Sequence, residues 1–196
     1  YTSSAVVEKI ISDLFGKTSS ISVAHVGSNY GLLVNDLMLS PYVNVERGSS
    51  WHAGDIKNSI QQSVSRHFSA LTGEHHDVNY GGLNNMTINS ARLAILSDLN
   101  TDNETYCAII NQLWGSLDAG GALIIQEDFS GRPDKIEYLD SVLAELGEIK
   151  YYSSIAACQI RPSVELSQYS LAVEENLRVE KANKEAVFRV LQKTPN

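Results

Sequence analysis

The sequence predicts an α/β protein: a doubly wound, mostly parallel sheet with helices on both faces. Three observations predict it. Short apolar runs alternate with helical patterns along the chain, as βα units do. Two of these runs, at 92–97 (Arg92-Leu93-Ala94-Ile95-Leu96-Ser97) and 122–126 (Ala122-Leu123-Ile124-Ile125-Gln126), are apolar on both faces, as buried parallel strands are. Each run meets acid at its end, Asp98 after the first and Glu127-Asp128 after the second. Ligands in open α/β sheets bind outside the carboxyl ends of the strands, so three carboxylates are expected at one functional edge.

The elements follow in order. Val6, Val7, Ile10, Ile11, Leu14 and Phe15 fall at helical spacing and predict a helix over 3–15, with Ser3 or Ser4 as cap and Gly16 as stop. A strand over 20–26 runs into Gly27-Ser28-Asn29-Tyr30-Gly31 and then a helix carrying Leu32, Leu33, Leu37 and Met38. That arrangement presents backbone N–H groups and a helix N-terminus to a ligand. A second strand, 42–46, ends on Glu46, and a helix is expected over 54–71. His75 to Tyr80 is a weak third strand, broken by Gly81-Gly82. After the strand at 92–97 comes a helix over about 104–117. Asp118-Ala119-Gly120-Gly121 then reads as a tight turn into the strand at 122–126. A helix holding Ile136, Leu139, Val142, Leu143 and Leu146 leads to two strand patterns, 148–153 and 155–161, close enough to pair antiparallel. The tail, 164–192, reads as helix with a solvated face of Glu174, Glu175, Arg178, Glu180, Lys181 and Lys184.

With 196 residues the chain has room for one substantial domain. That domain divides into an N-terminal helix (1–17), a core (18–162) and a C-terminal helical extension (163–196). The net charge of −8 argues against phosphate-backbone binding as the main business, so a nucleic-acid partner is not expected. No apolar run approaches a membrane span, and the opening Tyr1-Thr2-Ser3-Ser4 lacks the basic and apolar regions of a secretory signal. The start without Met suggests a trimmed or excised segment. Cys107 and Cys158 have no CxxC spacing and read as free thiols in a reducing, cytoplasmic setting.

Residues 23–31, Val23 to Gly31, are similar to the first motif of class I S-adenosylmethionine-dependent methyltransferases, a strand running into a GxGxG-like turn. Residues 114–125, from Trp114 through Gly120-Gly121 to Ile125, resemble the family's turn into its fifth strand. The order of elements over roughly 3–162 resembles the family as well. The resemblance implies a Rossmann-like, seven-stranded sheet whose last strand is antiparallel, and S-adenosyl-L-methionine as cofactor. It implies cofactor contacts from Gly27, Ser28, Asn29, Tyr30 and Gly31, ribose hydroxyls on Glu46, and a contribution from Asn79. Two positions depart from the pattern: His25 stands where the family has an acid, and Asn29 where it has the middle glycine.

A narrower resemblance concerns Asp98, Glu127 and Asp128. They look like the metal triad of divalent-cation-dependent small-molecule O-methyltransferases. Three hard oxygen ligands suit Mg²⁺ or a similar cation, which would lower the pKa of an acceptor hydroxyl and hold its oxygen in line with the methyl. Asp98 would act on the acceptor oxygen through the metal, and a base would come from elsewhere, His52 or His76. Blander readings stand beside these: Asp98 as cap of the following helix, Glu46 as an exposed acid beside Arg47, Glu127 and Asp128 as loop acids, and Trp51 as packing rather than adenine cover. The expected function is methyl transfer to an oxygen of a small molecule, with a homodimer partner or neighbouring domain completing the acceptor pocket. A non-catalytic methyltransferase-like module and a nucleic-acid methyltransferase completed by a partner are the alternatives.

Overall fold

A computed structural model of the chain describes residues 4–27, 32–52, 78–83, 86–88, 90–97, 99, 101–127, 133–153 and 187–195. Helix α1 spans Ser4–Phe15, strand β1 Ser20–Val26, α2 Leu32–Leu39, β2 Asn44–His52 and β3 Val78–Gly82. Then come β4 (Ala91–Ser97), α3 (Asn103–Ser116), β5 (Leu117–Gln126), α4 (Pro133–Leu146), β6 (Lys150–Ser153) and β7 (Val187–Gln192). The seven strands form one sheet in the order β3-β2-β1-β4-β5-β7-β6. The first five pair in parallel, and β7 runs antiparallel to both β5 and β6.

Alternation along each inner strand divides the core in two. Ile21, Val23, Leu93, Ile95, Ile124, Phe188 and Val190 pack with Val6, Ile10 and Ile11 of α1 and Leu33 and Leu37 of α2. Ala24, Val26, Leu96, Ile125 and Leu191 pack on the other face with Ile109, Ile110 and Leu113 of α3 and Leu139 and Leu143 of α4. This is the doubly wound arrangement that the alternating βα pattern predicts.

Helix ends follow local chemistry. Gly16 closes α1 at φ +76°, and its N–H reaches Ser12 O at 3.1 Å. Asp102 caps α3: its carboxylate accepts from Thr105 N and Thr105 Oγ1, each at 2.8 Å. The Thr105 amide, then its hydroxyl, hold the Asp102 carboxyl below its ordinary value. A depressed carboxyl contributes stability above its unfolded pKa and loses it as pH falls through the folded one. Asp102→Ala is therefore expected to lower the melting temperature at pH 7, with the gap from wild type shrinking below about pH 4. Equal melting temperatures at pH 7 would refute the cap.

Four sequence expectations change. Strand β2 is not 42–46 but Asn44–His52, so Glu46 lies near its start. Strand β3 extends through Gly81-Gly82 instead of ending before them, because parallel pairing with β2 continues to His52↔Gly82. The turn at 118–121 lies within β5. Pairing with β4 jumps from Ala91↔Leu117 to Leu93↔Ala122, and Gly120 adopts φ +77° to absorb the extra residues. Most consequential, the tail is not all helix and the core does not end at 162. Residues 187–192 form an inner strand, hydrogen-bonded on both sides. The apolar Phe188, Val190 and Leu191 carry that signal, and the intervening Arg189 obscured it. The proposed 148–153 partner, 155–161, lies outside the described residues, as do the helix expected over 54–71 and the acidic-basic run at 174–184; β6 pairs with β7 instead.

Candidate functional site

The sheet reverses its order of construction between β1 and β4, which is where open α/β sheets leave a crevice for ligands. Three strand ends are tied together there. Gly27, directly after β1, donates its N–H to Trp51 O of β2 at 2.8 Å. One residue before the end of β1, His25 Nε2 lies 2.7 Å from Ser97 Oγ, at the end of β4. His25 is fully buried and Ser97 nearly so. Gly27 rests directly on this pair. A Cβ there would come within 2.6 Å of Ser97 O, 2.8 Å of Ser97 Oγ and 2.9 Å of His25 Nε2, so no side chain fits. Residues 27–31 then connect β1 to α2, the strand–turn–helix order the sequence predicts.

Of the expected cofactor contacts, Gly27 sits at this edge, while Ser28, Asn29, Tyr30 and Gly31 lie outside the described residues. Glu46 is a correction. It precedes Trp51 by five strand residues, roughly 16 Å at ~3.3 Å per residue, so its carboxylate is at the amino side of the sheet. Its carboxylate lies 4.0 Å from the Arg47 guanidinium, with both side chains exposed. Asn79 pairs with Ser49, three rungs before the His52↔Gly82 end of the ladder, so its backbone is inside β3 rather than at the carboxyl edge. His52 is the last residue of β2 and its backbone does reach that edge. Trp51 packs: it is 6% exposed, its ring lies against Gly81, and its Nε1 donates to Ser49 Oγ at 3.0 Å.

Asp98 and Asp128 lie outside the described residues, and Glu127 is the described member of the expected metal triad. Glu127 Oε1 accepts from Leu99 N at 3.1 Å and from the Tyr106 hydroxyl at 2.9 Å. The carboxylate thus stitches the segment after β4 to the end of β5 and to α3. Among the described residues no group of three His, Cys, Asp or Glu side chains could hold a metal. Glu127 Oε1 is thus engaged in holding the segment after β4, as the loop-acid reading expects. The cap of α3 is Asp102, so that role does not require Asp98.

Sequence reasoning missed Ser97, Leu99 and Tyr106. A small polar residue closing an apolar strand was the available signal for Ser97. Nothing local marks Leu99 or Tyr106, because their part depends on meeting Glu127. Between the starts of α3 and α4 a shallow cleft lined by Leu99, Asn103, Tyr106, Lys135 and Tyr138 has space for about one water. Tyr138 donates to Asn103 O at 3.3 Å; partial burial first, then Cys107 nearby, push its phenol pKa up.

No protein-family model matches the sequence, and no curated protein is similar to it. Solved structures are similar in fold. An rRNA methylase from Streptococcus thermophilus superposes with a TM-score of 0.55 at 15% identity, over 96% of this chain and 94% of that one. SMU.1697c from Streptococcus mutans, in complex with SAH, gives 0.52 at 13% identity, over 95% of each chain. The [4+2]-cyclase SpnF gives 0.60 at 14% identity, over 97% of this chain and 81% of that one. The architecture is the class I methyltransferase fold: seven strands, with an antiparallel strand inserted next to β5. No helix among the described residues is long and apolar enough to cross a membrane.

Proposed function

We propose that this chain is an S-adenosylmethionine-dependent methyltransferase acting on an oxygen of a small-molecule acceptor. The observation that carries the reading is the Gly27 turn. It lies at the reversal of strand order in a methyltransferase-type sheet, pinned to the ends of β2 and β4. The cofactor, when bound, supplies a methyl on a positive sulfonium that leaves without acid assistance. The chain's task is then to bind, orient and deprotonate. Gly27 and the residues after it would take the cofactor. Asp98, directly after β4, and His52, at the end of β2, are our candidates for receiving the acceptor proton.

The net charge of −8 favours a small acceptor over a nucleic acid. A homodimer partner or a neighbouring domain would complete the acceptor pocket. Free Cys107 is consistent with a reducing, cytoplasmic setting. We assign no step to Mg²⁺ or another divalent cation, since the Glu127 oxygen is engaged by Leu99 and Tyr106.

One observation favours the second reading, a non-catalytic methyltransferase-like module: the described end of β2, Trp51-His52, carries no acid, and Glu46 is remote from it. Calorimetry separates the two. Wild-type protein is expected to bind S-adenosylhomocysteine with a dissociation constant below about 1 mM. Glu46→Ala and added EDTA should leave that affinity unchanged. Absence of binding at millimolar ligand would sink the catalytic reading, and a loss of affinity in Glu46→Ala would sink the placement of β2.

A further inference from the structure

We propose that His25 is a positioning residue which, through Ser97, sets the height and angle of the Gly27 turn and so the shape of the cofactor cradle. The clause about the cofactor rests on the reading above; the clause about the turn does not.

His25 interrupts an otherwise apolar run, Val23-Ala24-His25-Val26, in a strand whose last four residues are all buried. Burying an imidazole is costly unless its nitrogens are hydrogen-bonded. Here Nε2 meets Ser97 Oγ at 2.7 Å, and both groups are withdrawn from water. The contact joins side chains 72 residues apart, at the place where the β1–β4 pairing stops, one rung beyond Val26↔Leu96. Backbone pairing no longer fixes the spacing of the two chains beyond that rung. The side-chain bond does.

Gly27 lies on the same two atoms. The distances a Cβ would meet there show that the His25–Ser97 pair is the floor of the turn. The Gly27 N–H to Trp51 O bond holds it from the other side. A floor and one tether fix the place and direction of the Gly27 peptide, where the chain leaves β1. Altering the pair should therefore loosen the turn without dismantling a sheet whose inner strands pack on both faces.

The test uses Ser97→Ala, which removes the hydroxyl with little change in volume, together with His25→Ala and His25→Gln. Amide hydrogen exchange of the free protein and calorimetry with S-adenosylhomocysteine are the readouts. Ser97→Ala and His25→Ala are expected to speed exchange in the peptide containing Gly27, with β5 and β7 unchanged. Both should weaken ligand binding roughly tenfold, the effect of losing about one buried hydrogen bond. His25→Gln, whose terminal amide occupies about the place of Nε2 and can still bond Ser97, should recover most of the affinity. Wild-type exchange at Gly27 and wild-type affinity in Ser97→Ala would overturn the proposal. Faster exchange at Gly27 with no binding by the wild type would support the positioning role and sink the cofactor reading instead. Failure of His25→Gln to rescue, where Ser97→Ala is silent, would reduce His25 to core packing and overturn the proposal as well.

Discussion

Gly27→Ala is expected to lower stability and cofactor affinity together. The new methyl would meet Ser97 O, a backbone atom in β4, at 2.6 Å, and neither strand can swing away without breaking its ladder. Overpacking of this kind costs about 1–3 kcal/mol. Relief requires lifting the turn off His25 and Ser97, which also strains the Gly27 bond to Trp51 O. Urea unfolding should record the stability loss. Calorimetry with S-adenosylhomocysteine should record at least a tenfold loss of affinity, corresponding to about 1.4 kcal/mol. A variant with wild-type unfolding and wild-type affinity would show that the turn does not sit where the structure places it.

The second large effect is expected at the far end of the sheet. Arg189 of β7 is 7% exposed, and its Nε donates to Asp140 Oδ1 of α4 at 2.6 Å. Its guanidinium also lies over the Tyr151 ring of β6, 5.7 Å from the centroid. One cation therefore joins α4, β7 and β6. Removing the carboxylate leaves a buried charge without its main partner, which costs about 3–5 kcal/mol in fully buried pairs. Asp140 is about one-third exposed, so water recovers part of this. Asp140→Ala should then cost about 2–3 kcal/mol in urea unfolding. Arg189→Met in the same background should restore much of the loss, since an apolar side chain of similar length needs no counter-charge. A double variant less stable than Asp140→Ala alone would show that the arginine contributes through packing rather than through the pair.

The two sites illustrate what each kind of information supplies. The strands at 20–26 and 92–97, the helices over 4–15, 103–116 and 133–146, and the glycine turn after β1 were legible because their signals are local. A period of two or of 3.6, a cap and a glycine can be read within a window of a dozen residues. The alternation of strand and helix through β5 followed from such windows, and with it the fold class.

Glu46 shows where local reading fails. It ends an apolar stretch and looks like a strand-end acid, yet pairing with β1 carries β2 five residues further, to Trp51, and pairing with β3 carries it to His52. Strand length was decided by Val26, 25 residues before Trp51, and by Gly82, 30 residues after His52, not by its own composition. The segment 187–192 read as helix for the same kind of reason: its partners β5 and β6, and the Asp140 of α4 that pairs with Arg189, lie far away in the chain. Glu127 invited a metal by its position after β5, while its hydrogen bonds to Leu99 and Tyr106 depend on how β4 and α3 pack beside it.

By itself, then, the sequence determined that this chain is an α/β protein with a glycine turn directly after β1, since periodicity and glycine placement act through neighbouring residues. Only the tertiary structure decided that 187–192 completes the sheet. It also decided that Glu46 stands away from the site, and that His25, Ser97 and Gly27 form one node. Register, strand order and the meeting of side chains 72 residues apart are set by long-range pairing and burial, which no window of sequence contains.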